Sequence, residues 1–506
     1  MKRLLMMIAL LSVTLSAFSS CGKKDQPDTA DTTSEPPAES VSDSGASDVL
    51  DFQPKDFGGA ELVFLIRNAE AGDFETWDFV ENEKNTDIIN EAIRTRNHYI
   101  EETYGVLLTP RLCGGAIRSE EMYQVIYNDY FSNDVSYQVA YCGVLNAIQL
   151  AAGGIFHDLS ELPYINLEHP WWDARAMSSL SISNRNFFGI GDISVQLYET
   201  LPCIAFNKAM ADQYGITGLY EMVNENKWTF EAFDGIIKEV SGDIDDIDGP
   251  SVGDIFAVGG QNDNIFNFFY ASGLNSVTLD SNGVPELTVY SEYNETVVSK
   301  LFDIMTNQES FFNCNDYANV PGWKNSPIEY VTDGFLSQRI LFYSDGLLHL
   351  PEMKDASFQF GILPEPKYSE DQDYRHLIGV YGSTAVTVPQ GLIGDQLKMT
   401  TMIIEAMGQK SQETVAKEYF ERVLTLQNVR DSESADSLRI ILDTKGFDMG
   451  FCFRWGELDT VLHDMLIQRR NSFYDNYQAK KNTIEVELSR TITSYINLPH
   501  YVELEE

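Results

Sequence analysis

The sequence predicts an α/β protein built as two lobes, on two observations. Strands and helices alternate from the start of its globular part, and roughly 455 of the 506 residues remain after residue 50, too many for one compact core. Residues 61–67 (ELVFLIR) form an apolar strand. A helix follows in which Ile88, Ile89, Ala92, Ile93, Tyr99 and Ile100 recur at helical spacing, with Thr86 placed to cap it and Gly105 just past its end. Residues 106–109 read as a second strand, 120–131 as a helix and 135–141 as a third strand. This β-α-β-α-β opening implies a parallel sheet flanked by helices.

The middle continues in the same style. Residues 195–206 read as a long strand running into a helix near Asn207, and helices are expected around 216–240, 262–272 and 291–307. Residues 339–343, 358–363 and 377–388 read as strands, and after Pro389 the pattern is helical through Tyr495. Trp228, before Thr229 at a helix start, is expected to pack there.

The N-terminus has the order of a secretory signal: Lys2 and Arg3, a short apolar run to Leu15, then small residues before Cys21. Phe18-Ser19-Ser20-Cys21 resembles a bacterial lipobox, with Phe18 where Leu is usual, which implies an acylated Cys21. Residues 23–50 are acidic and rich in Ser, Thr and Pro, so they cannot bury enough surface to order themselves and are expected to be a tether. A lipid followed by a tether places the folded part at the outer face of a bacterial membrane.

A formal charge of −42 argues against nucleic acid and against electrostatic adhesion to anionic lipid. Beyond Cys21 stand five cysteines with no CxxC pair, which suggests buried free thiols and neither zinc nor a disulfide framework. Asp243, Asp245, Asp246, Asp248, Gly249 and Asp254 approximate a calcium loop whose register is broken by one residue; an acidic surface turn is the alternative, and no metal or cofactor is assigned. There is no GxSxG, HExxH or Walker loop, and GIGDIS at Gly189 lacks the third glycine of a dinucleotide motif, so no catalytic residue is assigned.

Several stretches, in order, resemble the extracellular solute-binding proteins of carbohydrate-type ABC importers, the class that includes the maltose-binding protein. They are EAIRTRNHYIEETYGV, GGIFHDLSELPYINLEHPWWD, NRNFFGIGDISVQLYETLPCIAFNKAMADQYGI, NKWTFEAF, FLSQRILFYSDG, FGILPEPK and HLIGVYGSTAVTVPQG. The resemblance implies a type II periplasmic-binding-protein fold, a monomer whose lobes close on ligand, and an ABC permease as partner. It places chain crossings near Glu199–Thr200 and at 379–383. Lobe 1 would comprise 51–198 plus about 384–435, and lobe 2 would comprise 201–378 plus about 436–506.

Sugar sites combine aromatic platforms with Asp, Glu, Asn and Arg. Trp77, flanked by Glu75 and Asp78, lies in the loop after the first strand, where it either meets ligand or covers the lobe's edge. Tyr141 ends the third strand beside Cys142 and Gly143. Of Trp171 and Trp172, one is expected to pack and the other to reach the ligand. Asp192, Ser194, Tyr198, Thr200 and Tyr381 surround the crossings. The resemblance also places Ser344 and Asp345 at a ligand-facing strand end, with Leu347 where the maltose protein carries an aromatic, and puts Arg454 and Trp455 either against the sugar or between helices. The functions left open are a transport receptor for a small solute, a sugar above all; a surface glycan-binding lipoprotein without a permease; and a glycoside-active enzyme.

Overall fold

The computed structural model describes residues 49–67, 78–79, 87–114, 120–133, 135–244, 247–317, 328–354, 356–425 and 431–502. Cys21, the tether up to residue 48, Trp77, Thr86 and the Asp245–Asp246 pair lie outside the described residues.

The chain opens with β1 (Ala60–Ile66), α1 (Asp87–Tyr104), β2 (Val106–Leu112), α2 (Glu120–Ser132), β3 (Val139–Gly143), α3 (Val144–Ala151), α4 (Ala174–Leu180) and α5 (Gln196–Glu199). It continues through β4 (Pro202–Asn207), α6 (Lys208–Gln213), α7 (Leu219–Asn224), α8 (Phe230–Ile237), β5 (Ser241–Gly242), β6 (Ile255–Gly260) and α9 (Asn264–Ala271). Next come β7 (Val277–Leu279), β8 (Pro285–Leu287), α10 (Glu292–Thr306), β9 (Phe311–Asn313), α11 (Ile328–Leu336), β10 (Ile340–Gly346) and β11 (Phe360–Leu363). After β12 (His376–Leu377) and β13 (Thr384–Thr387) stand α12 (Gly394–Ser411), α13 (Lys417–Thr425), α14 (Ser432–Asp443) and β14 (Lys445–Gly446). The chain closes with α15 (Met449–Phe453), α16 (Thr460–Gln468) and α17 (Phe473–Asn497).

The first sheet has the order β13-β3-β1-β2, with β1 parallel to both β2 and β3 and with β13 antiparallel to β3. Along β1 the side chains alternate: Leu62, Phe64 and Ile66 join the cluster under α12, while Leu65 joins the core on the other side. A sheet buried on both faces explains the nearly continuous apolar run of ELVFLI. The second sheet runs β11-β4-β10-β6-β5, with β9 also paired to β6. β6, β9 and β10 are mutually parallel through β6, whereas β4 lies antiparallel to β10.

Local signals are kept where they are strong. The Thr229 hydroxyl accepts from the backbone N–H of Ala232 to start α8, and the Asn207 side chain does the same from Met210 to start α6. Trp228 is fully buried, and its indole N–H donates to the Pro364 carbonyl at 2.8 Å. Three expectations change. The apolar run 195–206 contains a helical turn, α5, before β4, because the chain bends at Thr200 and Pro202 adds no donor. The run 377–388 divides into β12 and β13 around 378–383, where the chain leaves one sheet's neighbourhood for the other. The expected helix over 216–240 is two, α7 and α8, separated by the left-handed Asn226 (φ 61°).

Candidate functional site

The carboxyl ends of the strands in the two sheets converge on the same pair of crossing segments. At the end of β3, the Val144 amide donates to the Ser383 carbonyl at 3.2 Å, and at the end of β10 the Leu347 amide donates to the Leu201 carbonyl at 2.9 Å. The crossings touch each other: the Gly379 amide donates to the Thr200 carbonyl at 3.2 Å, and the Thr200 and Ser383 hydroxyls lie 3.1 Å apart. An added Cβ on Gly379 would sit 3.1 Å from that carbonyl, so a side chain there would push the two segments apart. In open α/β sheets, ligands bind beyond such strand ends.

Polar loops line this region on the side of the second sheet. After β6 come Gln261, Asn262 and Asp263; after β9, Asn315; at the end of β10 stands Asp345, with His349 beyond it. Asn264 donates to the Ser344 hydroxyl at 2.8 Å and accepts from the Gln261 amide at 2.6 Å, which locks the first loop to the third. The Asn262 amide donates to Asn315 Oδ1 at 2.8 Å, while Asn313 Nδ2 donates to Asn262 Oδ1 at 2.7 Å. Asp345 accepts from the Gly346 amide at 2.7 Å and lies 3.8 Å from His349 Nε2. Burial pushes the Asp345 carboxyl above the usual carboxylate range, and Glu352 adds to the rise. Asp263, half exposed, is raised by its walled position and by Asp345 and Asp459 nearby, against the pull of His463 at 3.4 Å.

A cavity of about 600 Å³ adjoins this cluster through Arg454. Its wall on the first-sheet side is α3, with Leu145, Ile148 and Gln149, and Ala152 just past its end; opposite stand Phe453, Arg454, Trp455, Glu457 and, from α17, Glu487, Arg490 and Thr491. The turn carrying Arg454 is unusual, since Arg454, Gly456 and Glu457 all have φ between 54° and 58°. It is held from outside: Trp455 Nε1 donates to Thr491 at 2.8 Å, the Gly456 amide to Glu487 at 2.6 Å, and Trp455 stacks on Phe453 with centroids 4.7 Å apart. Left-handed non-glycine residues kept in place by surrounding contacts mark a turn whose shape matters. The cavity therefore offers an apolar floor and an aromatic wall beneath a charged rim, the mixture that suits a ring with polar edges.

The expected site residues separate into two groups. Asp345 and Arg454 lie in the region just described, and Trp455 lines the cavity although it is 3 % exposed. Tyr381, half-buried, lies on the crossing 378–383. Asp192, also half-buried, accepts from the Tyr198 hydroxyl beside the other crossing; burial raises Asp192 to about 6. The remaining four are in the core. Ser344 is fully buried under Asn264. Tyr141 is fully buried, ring-to-edge with Phe64 and Phe79, its hydroxyl donating to the Ile193 carbonyl at 3.3 Å.

Trp171 and Trp172 both pack, and neither reaches solvent. Their indole N–H groups donate to Glu405 on α12 at 3.1 and 2.9 Å, and His169 Nδ1 meets the same carboxylate at 2.5 Å. Asp78 is likewise committed inside, paired with Arg96 at 3.3 Å and accepting from Ser194 at 3.1 Å. Gln261, Asn262, Asp263, Asn315 and His463 escaped the sequence reading. A signal existed, since GGQNDN follows an apolar strand in the same way that SDG follows RILFY.

No family model matches the chain, and no curated protein does. Solved structures are similar over most of its length. An ABC substrate-binding protein from Listeria monocytogenes in complex with cycloalternan aligns at TM-score 0.53 and 11% identity, covering 85% of this chain and 99% of its own. A cyclic α-maltosyl-1,6-maltose binding protein from Arthrobacter globiformis aligns at TM-score 0.55 and 10% identity, covering 85% and 99%. UgpB from Mycobacterium tuberculosis in complex with glycerophosphocholine aligns at TM-score 0.52 and 14% identity, covering 79% and 96%. At such identities the likeness defines the fold alone: a type II periplasmic-binding-protein architecture with two sheets. Among the described residues no helix is long and apolar enough to cross a membrane.

Proposed function

We propose that this protein is the extracellular substrate-binding component of an ABC importer, which captures a sugar or oligosaccharide in its cleft as a monomer and presents it to a membrane permease. The observation that carries this reading is the meeting of both sets of strand ends at two crossing segments, beside a cavity with an aromatic wall and a charged rim. Lobe 1 comprises 51–198 and about 384–435, lobe 2 comprises 201–378 and about 436–506, and bending at 199–201 and 378–383 closes them. Solved proteins of this fold that bind cycloalternan or a cyclic maltosyl-maltose support a carbohydrate, while the one holding glycerophosphocholine keeps a phosphodiester in the screen. No nucleophile–base pair is assigned in the cleft, so the protein is read as a carrier and not an enzyme.

The test is a thermal-shift screen of the full chain in detergent against oligosaccharides, glycerophosphodiesters and peptides. A ligand that binds only the folded state raises the melting temperature by about 2–4 °C at a hundredfold excess over Kd. A shift with one sugar class, weakened at least about tenfold in affinity by Arg454→Gln, is expected. No shift with any soluble solute, together with retention on insoluble polysaccharide, would favour the surface-adhesion reading.

The membrane anchor has its own test. Cells fed a clickable fatty acid should label the wild-type chain and leave Cys21→Ser unlabelled. Equal labelling of both, or of neither, removes the lipid anchor from the proposal.

A further inference from the structure

The loop beyond β6 and the end of β10 carry more negative charge than the described residues around them neutralise. Gln261 Nε2 lies 3.5 Å from Asp345 Oδ2 and ties the two together, so Asp263 and Asp345 sit on adjoining strand ends of one sheet. Asp459 stands at the start of α16, four residues before His463; side chains at that spacing share a helix face, and His463 meets Asp263 at 3.4 Å. Three carboxylates therefore look onto one region. Arg454, bound to Asp459 Oδ2 at 2.6 Å, is the one guanidinium paired to any of them among the described residues. The histidines beside Asp263 and Asp345 carry charge only when protonated.

A second observation is independent of the charge count. Asp459 is 6 % exposed, and its other oxygen, Oδ1, has no hydrogen-bond partner among the described residues. Buried carboxylate oxygens are ordinarily satisfied, because leaving one unpaired costs its desolvation. Close enough to Asp263 for the two charges to repel, on the helix face that carries His463, this acceptor is set to receive a donor that none of the described residues provides.

We infer that the solute bound in the cleft carries a protonated amine, held between the loop beyond β6 and the end of β10 near Asp263, Asp345 and Asp459; an unacetylated amino sugar is the form that rests on the carbohydrate reading above. A primary ammonium supplies three donors and no acceptor, which matches a set of carboxylate oxygens flanked by the side-chain amide of Gln261. The sugar ring beside it would lie toward the Arg454–Trp455 wall. A polyamine shares the ammonium chemistry and lacks the ring, so the two sources are separable by experiment.

The test is calorimetric titration of the full chain in detergent at neutral pH. The probes are a fully deacetylated glucosamine tetramer, its fully N-acetylated counterpart, cellotetraose and spermidine. The glucosamine tetramer is expected to bind at least about tenfold tighter than either neutral sugar, the scale of one charge-assisted hydrogen bond. Asp263→Asn and Asp345→Asn should each remove most of that preference while leaving the melting curve of the free protein in place, with Asp263→Asn, the more exposed, guarding against misfolding. Spermidine binding without any sugar would support the amine and overturn the carbohydrate. Equal affinity for the neutral sugars, or a preference untouched by both variants, would overturn the amine and leave the carbohydrate cleft standing; no binding by any probe overturns both.

Discussion

Replacing Glu405 by alanine is expected to lower stability by about 3–5 kcal/mol, the usual effect of removing the hub of a buried charged network. Glu405 is fully buried on α12, and it accepts from three donors, His169 and the indoles of Trp171 and Trp172, all themselves buried. Alanine would strand all three and open a cavity beside two large rings. For a chain of this size unfolding cooperatively, at about 2.1 cal/mol/K per residue, that corresponds to a fall of about 3–5 °C in melting temperature. Glu405→Gln should not rescue it, since its amide NH₂ would turn donors toward an indole N–H that also donates. A melting temperature within 1 °C of wild type for alanine, by calorimetry, would show that the network is dispensable.

The same network shows what a sequence withholds. The pair in HPWWD attracts attention as a sugar platform because aromatic and acidic residues stand together, but the carboxylate that claims both indoles comes 233 residues later than Trp172. No local pattern encodes that meeting. Tyr141 fails for a related reason: a strand end places a residue near a cleft, whereas the pleat decides which face it takes, and this ring faces Phe64 and Phe79. What was legible rested on short-range physics. The helical spacing of α1, the apolar run of β1, the cap at Thr229 and the helix start near Asn207 are local, and each element forms where expected.

Runs that serve two elements were misread as one. Residues 195–206 and 377–388 are mostly apolar and mostly buried where the chain crosses between the two sheets, and burial hides the change from helical turn to strand, or from one strand to the next. The strand β6 went unread since IFAVGG is short and ends in two glycines, and with it went the loop Gln261–Asp263. The rule that drew attention to Asp345 applies equally to that loop once the strand is known. The site was therefore legible to the extent that its strands were.

Glu365→Gln is expected to abolish a pH dependence of stability that the wild type shows between about pH 4.5 and 8. Glu365 follows β11, is 1 % exposed, and neither carboxylate oxygen has a hydrogen-bond partner among the described residues. Burial first, then repulsion from Asp345, raises it from its ordinary 4.5 to about 8. His376 gives no relief: its Nε2 already accepts from the Glu365 amide at 3.1 Å, Nδ1 is spent on Thr444 at 2.7 Å, and burial lowers its own value to about 3, which keeps it neutral. Below pH 4.5 the carboxyl is protonated both folded and unfolded and costs nothing. As pH rises, the unfolded chain ionises first while the folded one must hold its proton, so stability falls across the interval and levels above about 8. The full shift would correspond to about 5 kcal/mol at 1.36 kcal/mol per unit, and relaxation around a buried charge reduces that to about 2–4 kcal/mol. Denaturant melts at pH 5 and pH 8.5 should therefore show the wild type losing ground to Glu365→Gln at the higher pH. A constant difference between the two proteins at both pH values would mean that Glu365 ionises freely, and the carboxyl buried behind β4 and β11 would then need a partner that the fold as described does not give it.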